Sequence, residues 1–253
     1  MHPRRLYAHR GAAAELPENT LQAFQRALQI GVDALEMDVQ VTRDEQLIVV
    51  HDESCARMAG ARWRWSQLDL AEARTLDIGW GYVAKDGTRP FAGQGFQVST
   101  FAEILEAFPR VQINLDIKSS PVDAVLSLVR AQHAEERVTL ASFQTGAAIS
   151  MRRKGYGGET ALSQGEVISL LSLPALLWRQ LPFTGNAVQV PTHHGALRFD
   201  RPAFIAKCHS LGLRVDFWTI DDPAEAARLI SLGADGIMTN DPAAIRPVLY
   251  PAS

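Results

Sequence analysis

The sequence predicts an α/β fold of parallel strands closed into a barrel, and three observations predict it. Strand-like and helix-like patterns alternate along the chain, which favours βα units over a sandwich. Its 253 residues match one barrel of about 250 residues. Titratable residues collect where strand-like runs end, which is the catalytic end of such a barrel.

The first strand, residues 6–8, delivers His9-Arg10-Gly11. A helix follows over about 18–29, with Pro17 at its start, Asn19 and Thr20 as candidate caps or ligand contacts, and an apolar stripe of Leu21, Phe24, Ala27 and Leu28. Gly31 stops it. In the second strand, 34–42, Glu36 and Asp38 lie two apart and so share a face. The third, 47–50, is reached through only Arg43-Asp44-Glu45-Gln46, too short for a parallel crossover of about a dozen residues. A hairpin is implied, ending in His51-Asp52.

The pattern then weakens over about 54–98, apart from a short helix at 67–76. This reads as an irregular insertion after the third strand, at the catalytic mouth, with Trp80, Tyr82, Phe91 and Phe96 either lining the cleft or simply packing together. Beyond it come a helix at 100–108, a strand at 111–118 with Asp116 and Lys118 on one face, a helix at 123–135, a strand at 138–142, a helix at 147–154 and a strand at 159–162. Strands at 187–190, 214–219 and 236–239, with helices at 202–211 and 223–232, complete the alternation. The strand candidates exceed eight, and the hairpin partner is the first expected to lie outside the barrel. With no repeat, linker or low-complexity tract, residues 1–253 read as one domain.

A net charge of −3 with both signs scattered offers no basic stripe for nucleic acid and no polybasic cluster for an anionic membrane. Two cysteines, Cys55 and Cys208, are too few for a disulfide framework and read as free thiols. The opening MHPRRLYAHRG lacks a signal-like apolar region, so a cytoplasmic location is expected. The apolar tract 167–183 is broken by Pro174 and Pro182 and falls short of the roughly 20 residues of a membrane span. It reads as a helix packed outside the barrel, with leucines that leave a lipid or partner surface open.

HRG at 9–11, PENT at 17–20, E-x-D at 36–38, T-x-D at 42–44 and VVHD at 49–52 together resemble the glycerophosphodiester phosphodiesterases, metal-dependent TIM (β/α)8 barrels. INLDIK at 113–118 stands where that family has an E-x-K strand, and VDFWTIDDP and GADGIMTNDP resemble its closing motifs. The resemblance implies that Glu36, Asp38 and Asp116 hold a divalent metal, that Arg10 and Lys118 bind phosphate, and that Trp218 stacks on substrate glycerol. Asp116 departs from the family's glutamate by one methylene. An all-oxygen shell suits Ca²⁺ or Mg²⁺, and with the ion, Arg10 and Lys118 the site balances a phosphodiester monoanion. Imidazole titrates near neutrality, so His9 and His51 are the acid and base, in either assignment. The remaining histidines read as surface residues, with His193 and His194 near the mouth. The expected reaction is hydrolysis of small glycerophosphodiesters to sn-glycerol 3-phosphate and an alcohol, with lysophospholipase D action or a non-catalytic binding barrel as rivals.

Overall fold

The computed structural model describes residues 2–118, 121–178, 180 and 185–251. Its strands are β1 (Arg5–His9), β2 (Ala34–Val41), β3 (Leu47–Val49), β4 (Gln112–Ile117), β5 (Val138–Ala141), β6 (Ala187–Val190), β7 (His193–His194), β8 (Leu197–Arg198), β9 (Arg214–Phe217) and β10 (Gly236–Thr239). Helices α1 (Leu21–Ile30), α2 (Ala56–Ala59), α3 (Leu70–Ala73) and α4 (Phe101–Ala107) precede β4. After it come α5 (Val122–Ala131), α6 (Thr145–Arg153), α7 (Gln164–Ser172), α8 (Ala175–Trp178), α9 (Pro202–Ser210), α10 (Pro223–Ser231) and α11 (Pro242–Leu249).

A parallel ladder runs β5-β4-β2-β1-β10-β9-β6. Parallel bridges Leu140 to Thr160 and Ala161 to Ala187 close it, so the expected strand at 159–162 survives as a two-residue stave. The strands are buried on both faces, as helices outside and side chains within require. β3 lies outside the ring and pairs antiparallel with β2, Val39 opposite Val49, as the short connection implied. The same register carries the chain back down β2, so that His51 returns to the level of the acidic pair.

Helix α1 begins at Leu21, later than the sequence predicts. Asn19 adopts a left-handed backbone (φ 57°), which no helix interior accommodates. Thr20 is the cap, its Oγ1 accepting from the Ala23 N–H at 3.2 Å. Pro17 therefore belongs to the preceding turn. Gly31 ends the helix in the left-handed region (φ 93°). Phe24 and Ala27 bury against Leu35, Met37 and Val39 of β2, and a second core of Val188, Val215, Phe217 and Ile237 lies under α9, α10 and α11. In α7, Val167 and Leu170 enter that second core, so this part of the apolar tract packs on the barrel as expected. At its end, residues 179 and 181–183 lie outside the described residues. Among the described residues no helix is long and apolar enough to cross a membrane.

Residues 54–98 do not lid the cleft. Met58, Trp65, Leu68 and Ile78 form a core there with Ile48 and Val50 of the hairpin. Tyr82 meets Phe91 edge-on at 4.9 Å, Phe91 meets Phe96 at 5.5 Å, and the Arg89 guanidinium lies 3.7 Å over Trp80. The aromatics are consumed by packing because short helices separated by glycine bury little else. A Cβ on Gly81 would stand 2.6 Å from Met58 Cα, so only glycine lets the two turns touch.

Where β1 ends, Arg10 (φ 57°) and Gly11 (φ 87°) are both left-handed, turning the chain sharply after His9. A Cβ on Gly11 would fall 2.8 Å from the Ala23 backbone carbonyl carbon. Gly11→Ala should therefore destabilise the chain by more than about 1 kcal/mol, read as a lowered urea midpoint; an unchanged midpoint would show that the turn relaxes freely.

Candidate active site

His9, at the end of β1, lies in register with Glu36 of β2. Its Nδ1 is 2.7 Å from Asn240 Oδ1. The Asn240 amide is oriented by Asp221, to which its Nδ2 donates at 2.8 Å and its backbone N–H at 2.7 Å. Asn240 Oδ1 must therefore accept, which puts the proton on His9 Nδ1 and leaves Nε2 free, 3.9 Å from Glu36 Oε2. Burial, followed by the neighbouring Arg10 charge, holds His9 below the usual histidine range, so the ring stays neutral.

His51 Nδ1 lies 2.6 Å from Asp52 Oδ1. Burial works to raise the Asp52 carboxyl, but hydrogen bonds from Arg57 and His51 outweigh it and keep it ionised. A carboxylate can only accept, so His51 too carries its proton on Nδ1.

Across β2 and β4, Asp38 pairs with Asp116 and Glu36 with Asn114. Lys118 Nζ sits 2.6 Å from Asp116 and 3.1 Å from Asp38. Arg10 Nε stands 3.2 Å from Asp38, and its backbone N–H donates to Glu36 at 3.1 Å. Burial and then the Asp38 charge push Glu36 well above the ordinary carboxylate range. Asp116 is raised too, burial outweighing its bond to Lys118. Burial works against charge on Lys118, but Asp116 and Asp38 prevail and hold it protonated.

His9, His51, Arg10, Lys118, Glu36, Asp38, Asp116 and Trp218 all line one cavity of about 500 Å³. The structure thus brings together every side chain the sequence nominates for the site. Trp218, which meets Phe143 edge-on at 5.7 Å, stands on the wall rather than deep in the core. Asn19 does not cap α1 but donates to Asp38 at 3.3 Å. His194 reaches the lining, whereas His209 is no plain surface residue and bonds Asp235 at 2.8 Å. None of Trp80, Tyr82, Phe91 and Phe96 contributes to the lining.

Several lining residues escape sequence reading. Phe143, Ile168 and Leu197 form an apolar rim while remaining 50%, 49% and 46% exposed. On the floor, Gln189 donates to Asn114 at 2.7 Å. Phe143 and Leu197 carry no motif, since their apolar character matches that of any core, whereas Ile168 falls in the apolar tract 167–183; Asn240 lies in GADGIMTNDP, which no local pattern links to His9.

Among the described residues no group of three or more His, Cys, Asp or Glu side chains is arranged to hold a metal ion as it stands, with Lys118 between Asp38 and Asp116. The donor chemistry nonetheless suits one. Asp116 Oδ1 is buried without a hydrogen-bond partner, and the three carboxylates are an all-oxygen set.

The profile of the Glycerophosphoryl diester phosphodiesterase family matches residues 9–244. A glycerophosphodiester phosphodiesterase of Caldanaerobacter subterraneus is 28% identical, the match covering 93% of this chain and 93% of the relative. Lysophospholipase D GDPD1 of Homo sapiens is 29% identical over 96% of this chain and 85% of its own length. The crystal structure of a putative glycerophosphoryl diester phosphodiesterase from Silicibacter pomeroyi superposes with a TM-score of 0.81 at 27% identity, over 98% of this chain and 93% of that one.

The raised carboxyls carry a consequence for stability. A folded-state pKa above the unfolded one means that the native chain binds more protons, so stability falls as pH rises through that window. At neutral pH the ionised Asp116 is a net cost. Asp116→Asn should accordingly raise the thermal midpoint of the metal-free chain, and a lower midpoint would show that Lys118 pairing outweighs burial.

Proposed function

The chain belongs to the Glycerophosphoryl diester phosphodiesterase family, and on that premise we propose that the cavity hydrolyses glycerophosphodiesters to sn-glycerol 3-phosphate and an alcohol through His9 and His51. It is a phosphoric diester hydrolase. The observation that carries the assignment of roles is the pair of imidazoles on one cavity, both with Nδ1 protonated but with different groups behind them.

Arg10 and Lys118 bind the phosphate oxygens, and Trp218 stacks on the glycerol carbons. His9, neutral and backed by an amide oxygen, takes a proton from the nucleophile at Nε2. His51, backed by the Asp52 carboxylate, carries a proton on Nε2 to the leaving alkoxide. Water or the glycerol 2-hydroxyl supplies the attacking oxygen, and a cyclic phosphate seen by phosphorus NMR would select the second. Glu36, Asp38 and Asp116 would hold a divalent ion, Ca²⁺ or Mg²⁺, which when bound supplies charge stabilisation to a phosphoryl oxygen. The buried, unpartnered Asp116 oxygen supports that assignment. Both cysteines are buried free thiols, which supports a reducing, cytoplasmic setting.

A second reading, lysophospholipase D action, is favoured by the rim of Phe143, Ile168 and Leu197. The acyl chain on the glycerol of a lysophospholipid could cover that rim, whereas glycerophosphocholine, which has none, leaves it in water.

Release of choline from glycerophosphocholine and from lysophosphatidylcholine, with Ca²⁺, Mg²⁺ or chelator, tests both. Turnover should require metal, and His9→Ala should lower it by at least about 100-fold. Metal binding without turnover of either compound would sink the catalytic reading. If the acylated substrate is preferred, Ile168→Glu should cut that preference by about tenfold; an unchanged ratio would remove the rim from recognition.

A further inference from the structure

Outside the cavity lining, one side chain touches the partners of both its halves. Arg57, on α2 of the excursion, donates from Nη1 to Glu18 Oε2 and from Nη2 to Glu18 Oε1, both at 2.8 Å. Its Nε donates to Asp52 Oδ2. Asp52 is the carboxylate that holds His51 Nδ1 at 2.6 Å. Glu18 also accepts from Arg10 Nη1 at 3.0 Å, and Arg10 stands 3.2 Å from Asp38. An unbroken line of alternating charge thus runs from His51 to Arg10, and Arg57 is its middle member.

We propose that Arg57 is a positioning residue for hydrolysis, fixing His51 through Asp52 and Arg10 through Glu18 at once. The proposal rests on the diesterase reading above. Its physical basis is the shape of guanidinium: the two Nη groups satisfy both Glu18 oxygens while the Nε–H faces Asp52. A lysine ammonium in that place could not engage Glu18 with a planar fork and reach Asp52 in the same geometry. Glu18 is only 17% exposed at its side chain, so with Arg57 gone a nearly buried carboxylate would turn wholly to Arg10 and pull it from its station. Asp52, released at its other oxygen, would no longer hold one ring orientation. The excursion thereby gains a purpose that its aromatics do not supply.

The test uses the full chain with Arg57→Gln, Arg57→Lys and Glu18→Gln, measuring kcat and KM on glycerophosphocholine and, at a pH high enough to leave the ring neutral, the His51 tautomer by nitrogen-15 NMR. For Arg57→Gln, kcat should fall roughly 10- to 100-fold, KM should rise, and His51 should change from one tautomer to a mixture. Arg57→Lys should regain part of the KM loss while the tautomer stays mixed. Glu18→Gln, which carries the test should Arg57→Gln fail to fold, should raise KM while leaving the His51 tautomer as it was. Kinetics within about twofold of the parent together with an unmixed tautomer, or a loss that merely tracks the unfolded fraction in urea, would overturn the assignment. If the parent itself turns over no diester, the diesterase reading falls, yet the His51 spectrum still decides whether Arg57 clamps the ring.

Discussion

Three carboxylates buried at the mouth of one barrel repel each other, and much of the surrounding architecture answers that repulsion. Glu36, Asp38 and Asp116 are 5%, 1% and 8% exposed, so water screens them poorly. Lys118 is drawn between two of them, Arg10 against a third contact, and Asn19 leaves helical geometry to donate to Asp38. Even so compensation is incomplete: burial first, and the neighbouring carboxylates after it, hold Glu36 and Asp116 raised, and one Asp116 oxygen has no hydrogen-bond partner. Such a site favours whatever brings positive charge and hard-cation coordination, and tolerates stability lost in doing so.

The same demand explains the departure from an ideal barrel. β4 takes the parallel place beside β2, so His51 is delivered by a strand outside the ring. The antiparallel return of β3 on β2 brings His51 back beside them within a few residues, with Gln40 Nε2 donating to the His51 carbonyl at 2.9 Å to fix the turn-off. The hairpin needs a cover for the outer face of Ile48 and Val50, and residues 54–98 supply it with Met58, Trp65 and Ile78. The excursion is thus a consequence of where His51 must stand, and its aromatics belong to that cover.

What was legible in the sequence is what short-range geometry determines. Spacing by two on a strand placed Glu36 with Asp38 and Asp116 with Lys118 on shared faces, and a four-residue gap announced the hairpin. Alternatives stayed open where a local pattern has two outcomes. Asn19 and Thr20 look alike as caps, but only Thr20 has the extended backbone that a cap needs (φ −110°, ψ 153°). Glycine and aromatic content at 79–96 could serve a lid or a small core, and only tertiary contact separates them. Nor could spacing reveal that Asn240, more than two hundred residues from His9, would set its tautomer.

The cavity is consequently built in two ways. Its charged wall comes mostly from the ends of β1, β2, β3 and β4, neighbouring strands whose registers are tied by backbone pairing; a one-residue slip would turn every carboxylate away. Its apolar wall comes from the second half, where Phe143, Ile168 of α7 and Leu197 of β8 stand half in water. Changing a side chain on that rim leaves undisturbed the ladder that aligns the carboxylates. The fold therefore separates a centre aligned by strand pairing from an apolar rim that the ladder does not constrain.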